Sequence, residues 1–243
     1  MNPRDSCVEL LCGLYEAALS RGESAYLRAH SRHNSVRRHV EAFLHYRPHL
    51  PDGGVFLDWG CRYAVDACLI RHQLGPGVEL RGCDVHRVEG FAPFHEYASV
   101  RFSQLDHHSR LPYEDETFDA VIGSGVLEHV RMEAESLKEL YRVLKNRGVL
   151  ILTFLPNRYS YTEWCCRRLG LSHHERLYTV RGIRRTLMHH GFAPLRARHH
   201  QFVPAQRGEI LFRHLYRLNG ALESVWPTSL LCANIMVVAG KQE

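Results

Sequence analysis

The feature that most constrains the fold is an apolar run that ends in a carboxylate and a glycine turn. Residues 55–57 are apolar, Asp58 follows them, and Gly60 opens a turn that leads into a helix-compatible segment at 63–74. A buried parallel strand that turns sharply into a helix has this pattern, and doubly wound sheets bind ligands at such carboxyl ends. The pattern therefore predicts a first strand and the floor of a binding site.

Strand and helix patterns alternate after this run, which predicts an α/β fold. The predicted strands are 55–58, 78–84, 100–102, 118–122, 149–154, 193–200 and 230–239. Helices are predicted at 63–74, 133–144 and 180–190, and 91–97 is a proline-interrupted connection. The last two strands favour an antiparallel hairpin at the sheet edge. We expect a Rossmann-like, seven-stranded, mostly parallel sheet with an antiparallel last strand.

The chain of 243 residues is long enough for one large domain, and we interpret 1–243 as a single one. Residues 1–47 have helical apolar spacing and form a cover, while 54–154 form the ligand-binding core. Two insertions, 155–178 and 203–226, follow that core and are expected to form helical lids over a substrate pocket.

Composition indicates a cytosolic protein. No apolar run reaches the roughly 18 residues of a membrane span, and the first residues lack the pattern of a signal peptide. The eight cysteines show no paired CxxC spacing, so reduced thiols are expected.

The charge pattern predicts no nucleic-acid partner. The net charge of +5 is modest, and the basic clusters carry no nucleic-acid-binding signature. Arg167 and Arg168 lie beside Trp164, and 206–224 is basic and amphipathic, which leaves peripheral membrane contact or an anionic substrate open. The sequence does not indicate an oligomeric state.

Three aspartates follow successive strands and point to a nucleoside ligand. Asp58, Asp84 and Asp106 are separated by 26 and 22 residues, about one strand–helix unit each. All three are therefore expected at one edge of the sheet. An acid after the second strand can accept hydrogen bonds from both ribose hydroxyls, and one after the third can accept from the exocyclic amine of adenine.

The missing phosphate motifs narrow the choice of nucleoside. The turn from Gly60 to Ala64 lacks the GxGxxG spacing of dinucleotide sites, and no GxxxxGK[ST] loop occurs in the chain. A ligand with ribose and adenine but no phosphate fits better, and S-adenosylmethionine is such a ligand.

The chain at 54–155 resembles the class I S-adenosylmethionine-dependent methyltransferases, in the subfamily that includes ubiquinone-biosynthesis O-methyltransferases. The matching pieces are Leu57-Asp58-Trp59-Gly60-Cys61, Asp84, Leu105-Asp106, Leu111-Pro112-Tyr113, Phe118-Asp119-Ala120-Val121-Ile122, Val126-Leu127-Glu128-His129-Val130 and Glu139-Leu140-Tyr141-Arg142-Val143-Leu144-Lys145 with Gly148. The block from Phe118 to Val130 is the most specific. The family's turn usually has glycines where this chain has Arg62 and Ala64.

The resemblance implies which residues contact the cofactor. Asp58 and Gly60 would lie at its methionine end with Ser124, Asp84 at the ribose, and Asp106 near the adenine amine. The neighbouring residues expected to contact it are Cys61, Val85 and His107.

The resemblance also places Glu128 and His129 near the reacting centre. His129 could take the acceptor's proton, or the pair could brace the following helix. Some relatives bind a divalent metal through a glutamate three residues before the pair. Here that position is Gly125, so no metal is predicted. His173 and His174 in the first insertion are further candidate bases, or part of a polar loop.

We therefore expect methyl transfer to a small molecule, most readily to an oxygen nucleophile and less readily to nitrogen or carbon. Nucleic-acid methylation is disfavoured because strand four ends at Ile122-Gly123-Ser124-Gly125, without the Asn/Asp-Pro-Pro-Tyr type of signature. Two alternatives stay open. The cofactor could serve a reaction other than methylation, or the protein could be a degenerate, non-catalytic partner.

Overall fold

The computed structural model describes residues 2–22, 25–86, 91–107, 109–171, 174, 176–203 and 216–242. The chain begins with three helices, α1 (Pro3–Arg21), α2 (Ala25–His30) and α3 (His33–Tyr46). Asn2 caps α1 by accepting a hydrogen bond from the Arg4 amide. The predicted helical cover is confirmed, with a second break at residues 31–32.

A seven-stranded sheet follows, in the order β3-β2-β1-β4-β5-β7-β6. Its strands are β1 (Gly54–Trp59), β2 (Val78–Asp84), β3 (Arg101–Gln104), β4 (Phe118–Ser124), β5 (Leu144–Pro156), β6 (Phe192–His200) and β7 (Asn234–Lys241). Pairing is parallel from β3 through β5, and β7 is antiparallel to both β5 and β6. The mostly parallel sheet with its antiparallel end is therefore confirmed.

Helices cover both faces of the sheet. They are α4 (Val65–Leu74), α5 (Ala92–Ala98), α6 (Glu133–Val143), α7 (Tyr161–Arg168), α8 (Val180–His189) and α9 (Asn219–Ser224). One apolar cluster joins α1, α3, α4 and α5 to the sheet, and a second joins α6 and α8 to the opposite face. This burial on both faces explains why the central strands are continuous apolar runs.

Two local expectations differ from the structure. The segment predicted as an irregular connection is the helix α5, because Pro93 falls in its first turn, where a missing N–H costs little. The turn predicted at 146–148 lies inside β5, which begins at Leu144 instead of Val149. Arg147 has a φ of 64°, and the β4–β5 register shifts between Phe118 and Ala120, so the strand passes through an irregularity there.

The structure describes only part of each of the two expected lids, 155–178 and 203–226. In the first insertion, α7 is helical, as expected. In the second, a short 3-10 turn at Tyr216–Leu218 and the helix α9 are described, and residues 204–215 lie outside the described residues. The division of the chain into a cover, a core and two lids within one domain stays an interpretation.

Candidate functional site

A cavity of about 900 Å³ opens at the carboxyl ends of the parallel strands. Its walls come from the turns after β1, β2 and β4, the end of β5, and the helices α1 to α4 and α7. Residues from these elements include Tyr15, Tyr26, Arg38, Asp58, Gly60, Asp66, Asp84, Ser124, Glu128, Phe154, Glu163 and His174. The volume is of the size that holds a cofactor or drug-sized ligand.

The turn after β1 is closely packed. Gly60 has a φ of 70°, and a Cβ there would collide with the side chain of Val126. The Gly60 amide donates to the carbonyl of Cys83 on β2, across 2.7 Å. Glycine is therefore required at this position by both the backbone conformation and the close approach of Val126.

Asp84 ends β2 with its carboxylate tied to backbone amides. Its Oδ2 accepts from the Arg62 amide at 3.1 Å, and its Oδ1 accepts from the His86 amide at 2.8 Å. Asp84 is buried and lines the cavity. The two amides fix the orientation of the carboxylate, and each oxygen retains a lone pair for a ligand hydroxyl.

Asp58 and Asp66 form a buried acidic pair at the floor. Asp58 accepts a hydrogen bond from the Ala67 amide of α4 at 3.2 Å. Asp66 accepts one from the Tyr46 hydroxyl, and Ser124 also hydrogen-bonds to it. Burial, followed by the charge of Asp66, raises the pKa of Asp58 well above its usual range. A cationic group in the cavity would favour the ionised form of this pair.

A basic group faces the acids from the helical cover. Arg38 of α3 lines the cavity with its guanidinium 4.8 Å above the ring of Phe154. Its enclosed Nε has no hydrogen-bond partner, and no carboxylate of the described residues forms an ion pair with it. Burial lowers the pKa of the adjacent His39 well below its usual range, so His39 is neutral. Arg38 is therefore a cation available to an anionic ligand group.

The turn after β4 brings Glu128 and His129 to the cavity. Glu128 is buried, whereas the His129 side chain is 59% exposed, and the two side chains approach to 3.8 Å. Burial raises the pKa of Glu128 to about 7. Arg176 fixes this turn by donating to the carbonyls of Leu127 and Val130.

The helix α7 supplies a second histidine–carboxylate pair. Glu163 is buried, accepts from Arg167 at 3.0 Å, and lies 3.1 Å from Nδ1 of His174. The rings of His174 and His129 are 6.3 Å apart. With Nδ1 held by the carboxylate, Nε2 of His174 is the nitrogen left to face a ligand.

The structure places most of the candidate residues of the sequence in one cavity. Those that line it are Asp58, Gly60, Cys61, Asp84, Ser124, His129 and His174. The other candidates among the described residues do not line it. Val85 packs against the apolar core, Asp106 and His107 are exposed beyond the end of β3, and His173 lies outside the described residues. The Leu105 amide donates a hydrogen bond to the Asp84 carbonyl at 2.8 Å. Asp106, the next residue, therefore follows β3 at the same edge of the sheet as Asp84.

Sequence reasoning did not select Arg38, Asp66 or Glu163 as site residues. Arg38 lay in a basic cluster typical of a solvated helix face, and only the packing of α3 places it on the cavity. Asp66 resembled an ordinary first-turn acid of a helix. No local pattern distinguished these residues from surface charges.

A family model described as a methyltransferase domain matches residues 57–152. This range contains the turn after β1, Asp84, Asp106 and the Glu128-His129 turn. Residues 57–152 are therefore similar to the methyltransferase domains that this model describes. The remaining residues, which include the helical cover and α7, lie outside that match.

Relatives of the methyltransferase domain match over a short stretch. The demethylmenaquinone methyltransferases of Streptomyces avermitilis and Streptomyces griseus are 40% and 39% identical to it over 67 and 66 residues. Each match covers 25% of this chain and spans 29% of the length of the relative.

Solved structures share the fold. Phosphoethanolamine N-methyltransferase 2 of Haemonchus contortus, in complex with S-adenosyl-L-methionine, has a TM-score of 0.60 at 16% identity and covers 84% of this chain and 53% of its own. The [4+2]-cyclase SpnF has a TM-score of 0.58 at 20% identity, covering 84% and 80%. At these identities the likeness establishes the fold alone.

The residues present fit S-adenosylmethionine, the cofactor of this class of methyltransferase domain. Gly60 allows a ligand close to the turn, and Asp84 offers a fixed carboxylate suited to a ribose. Asp58 and Arg38 offer opposite charges suited to the ammonium and carboxylate of its amino acid portion. In this class of domain the bound cofactor supplies an activated methyl carbon on a sulfonium.

Proposed function

We propose that the protein is an S-adenosylmethionine-dependent methyltransferase acting on a small molecule, with an oxygen nucleophile as the favoured acceptor atom. The observation that carries the proposal is the arrangement of Asp58, Gly60 and Asp84 around one cavity within the segment that matches the family. Proximity and alignment then account for most of the catalysis, because the methyl carbon is already activated.

The acceptor side of the cavity supports proton removal from an oxygen. The titratable side chains on this side of the cavity include two histidine–carboxylate pairs, Glu128 with His129 and Glu163 with His174. The base is proposed to come from one of these two pairs, in which His129 and His174 are the candidate histidines, and His173 stays a sequence-based candidate. Tyr161, Cys166 and Leu171 make this end largely apolar, which suits an acceptor with an aromatic or aliphatic body.

Calorimetry with S-adenosylmethionine and S-adenosylhomocysteine tests the proposal. We expect both to bind, and the absence of binding at millimolar concentration would refute it. A panel of hydroxylated aromatic acceptors incubated with S-adenosylmethionine should then yield a product heavier by one methylene unit, with S-adenosylhomocysteine released. Substrate conversion without that mass gain would instead favour a reaction other than methylation, of the kind that the cyclase carries out on the same fold.

We further propose that the acceptor reaches the cavity from an anionic membrane surface. Residues 158–171 form a cavity wall whose outer side combines large apolar groups with arginines. Its exposed arginines and large apolar residues are Arg158, Tyr159, Trp164, Arg167, Arg168, Leu169 and Leu171. The only acid of this segment, Glu163, is buried, and the Arg168 guanidinium lies 4.9 Å above the Trp164 ring. Tryptophan and arginine on one edge suit the headgroup region of a bilayer.

Co-sedimentation with phosphatidylcholine vesicles, with and without a quarter phosphatidylglycerol, tests this contact. We expect binding to the anionic vesicles and its loss in a Trp164→Ser/Arg168→Gln variant. A matched Met188→Ser/Arg185→Gln variant changes exposed residues of α8 and should bind like the original protein. Equal binding by both variants, or none by the original, would refute the contact. No helix among the described residues is long and apolar enough to cross a bilayer, and a cytosolic location stays a prediction.

A further inference from the structure

Glu128 is a buried carboxyl with one oxygen that accepts no hydrogen bond from the described residues. Its side chain is 4% exposed, it lines the cavity, and Oε2 is the enclosed oxygen without a described partner. A buried oxygen without a partner costs free energy, so the fold maintains it at the expense of stability. An acid that only braced the following helix would use that oxygen in a bond to the helix backbone.

Glu128 lies between the cofactor side and the acceptor side of the cavity. It follows Ser124 by four residues, and Gly125 presents no side chain to its Oε1, which a Cβ at that position would contact at 3.6 Å. On the other side stand His129 and, from α7 and the segment after it, Glu163 and His174. A carboxyl in this position borders both the methyl donor and the methyl acceptor.

We propose that Glu128 is the proton acceptor of the methyl transfer and that the positive charge of the bound cofactor switches it to its ionised form. This inference rests on the proposed function. In the step, the acceptor atom bonds to the methyl carbon while the carbon–sulfur bond breaks and its electron pair stays on sulfur. The Glu128 carboxylate takes the proton that the acceptor atom loses, so charge and protons balance.

The surroundings of Glu128 make such a switch effective. Burial raises its pKa to about 7, and the charge of Arg176 opposes that rise. The other charged or titratable side chains that line the same cavity are His129 on its own turn, Tyr161, Glu163, Cys165, Cys166 and His174 on the acceptor side, Asp58, Cys61, Arg62, Tyr63, Asp66, Asp84 and His86 on the cofactor side, and Tyr15, Tyr26, His30, Arg38 and His39 from α1 to α3. A cation added close to Glu128 in this enclosed space favours its carboxylate form strongly.

The test compares two ligands that differ by the charge on sulfur. Binding heats of S-adenosylmethionine and S-adenosylhomocysteine, measured near pH 7 in buffers of different ionisation enthalpy, give the protons released by each. Because Glu128 is half protonated near its pKa, the charged ligand should release up to about half a proton more than the neutral one. The difference should shrink toward zero about two pH units higher.

Variants show which residue causes the difference in proton release between the two ligands. Glu128→Gln should keep S-adenosylhomocysteine binding and lose the proton difference. Glu41→Gln, which changes a carboxyl of α3 that does not line the cavity, should retain the difference. Equal proton release by the two ligands in the original protein, or a difference that Glu128→Gln keeps, would overturn the inference while leaving the proposed function intact. Failure of both ligands to bind would instead refute the proposed function.

Discussion

The main-chain amide of Arg62 donates a hydrogen bond to Oδ2 of Asp84 across 3.1 Å. The bond links the turn after β1 to the end of β2 and needs no particular side chain at position 62. The Arg62 guanidinium lies 4.8 Å above the ring of Tyr26 in α2, although its backbone φ of 41° falls in a region that favours glycine. Arg62 therefore joins the turn to the helical cover.

Arg62→Gly is expected to change cofactor affinity little, by less than about threefold, because the amide that holds Asp84 is retained. Relief of the strained backbone stabilises the folded protein by about 1 kcal/mol, and loss of the contact with Tyr26 destabilises it by about the same amount. Calorimetry with S-adenosylhomocysteine measures the affinity, and denaturant unfolding measures the stability. A large gain in affinity would favour a degenerate site in which arginine blocks the cofactor.

Arg38→Met should weaken S-adenosylhomocysteine binding by about tenfold or more, because a charged hydrogen bond to a carboxylate is lost. The same variant should bind 5′-methylthioadenosine as the original protein does, since that ligand has no carboxylate. Arg37→Met is the matched control, because Arg37 is the neighbouring arginine of α3 and does not line the cavity. Equal weakening toward both ligands would assign Arg38 a structural role.

The predicted contact of Asp106 with adenine needs a separate test, because Asp106 does not line the described cavity. If its exposed carboxylate accepts from the adenine amine, Asp106→Ala should weaken S-adenosylhomocysteine binding several-fold, since one hydrogen bond to a charged group is worth about 1.5–3 kcal/mol when buried and less when exposed. S-inosylhomocysteine, which lacks the amine, should bind the variant and the original protein equally. Unchanged binding of both ligands would remove Asp106 from the site.

Acid should destabilise the protein through its buried histidines. Burial lowers the pKa of His200 to about 3, and those of His30 and His45 to about 4. The unfolded chain takes up protons near pH 6.5 while the folded chain does not, so stability present above that pH is lost as the pH falls toward 4. Thermal unfolding of His200→Gln should depend less steeply on pH over this range. The exposed-site variant His189→Gln should keep the original slope.

Asp66→Asn should stabilise the protein at neutral and alkaline pH. Burial raises the pKa of Asp66, so the folded state disfavours the carboxylate, and stability falls as pH rises through that raised value. Asparagine removes this penalty and still accepts the Tyr46 hydrogen bond. Urea unfolding across the pH range should show a gain that disappears in acid, and Asp52→Asn on the exposed surface should show no such gain.

Local patterns specified the elements that are long and strongly apolar. Strand β2 spans the predicted 78–84, and α6 ends one residue before its predicted end. Sequence-based predictions of element bounds were less accurate where tertiary contacts act against the local conformational preference of the residues. Residues 146–148 have turn chemistry, yet β5 continues past them, because it pairs with β4 at Leu144 before them and again from Val149 after them. The sequence identified Asp58 and Asp84, which line the cavity, because the fold class fixes where its strands end.

By itself, the sequence determined the fold class, the order of its strands along the chain, and the acids at the carboxyl ends of β1 and β2. Periodicity and turn residues encode these features locally. Only the tertiary structure decided that α3 brings Arg38 to the cavity, that Glu128 is buried while His129 is exposed, and that His174 pairs with Glu163. Burial and charge pairing depend on residues distant in the chain, which no local pattern contains.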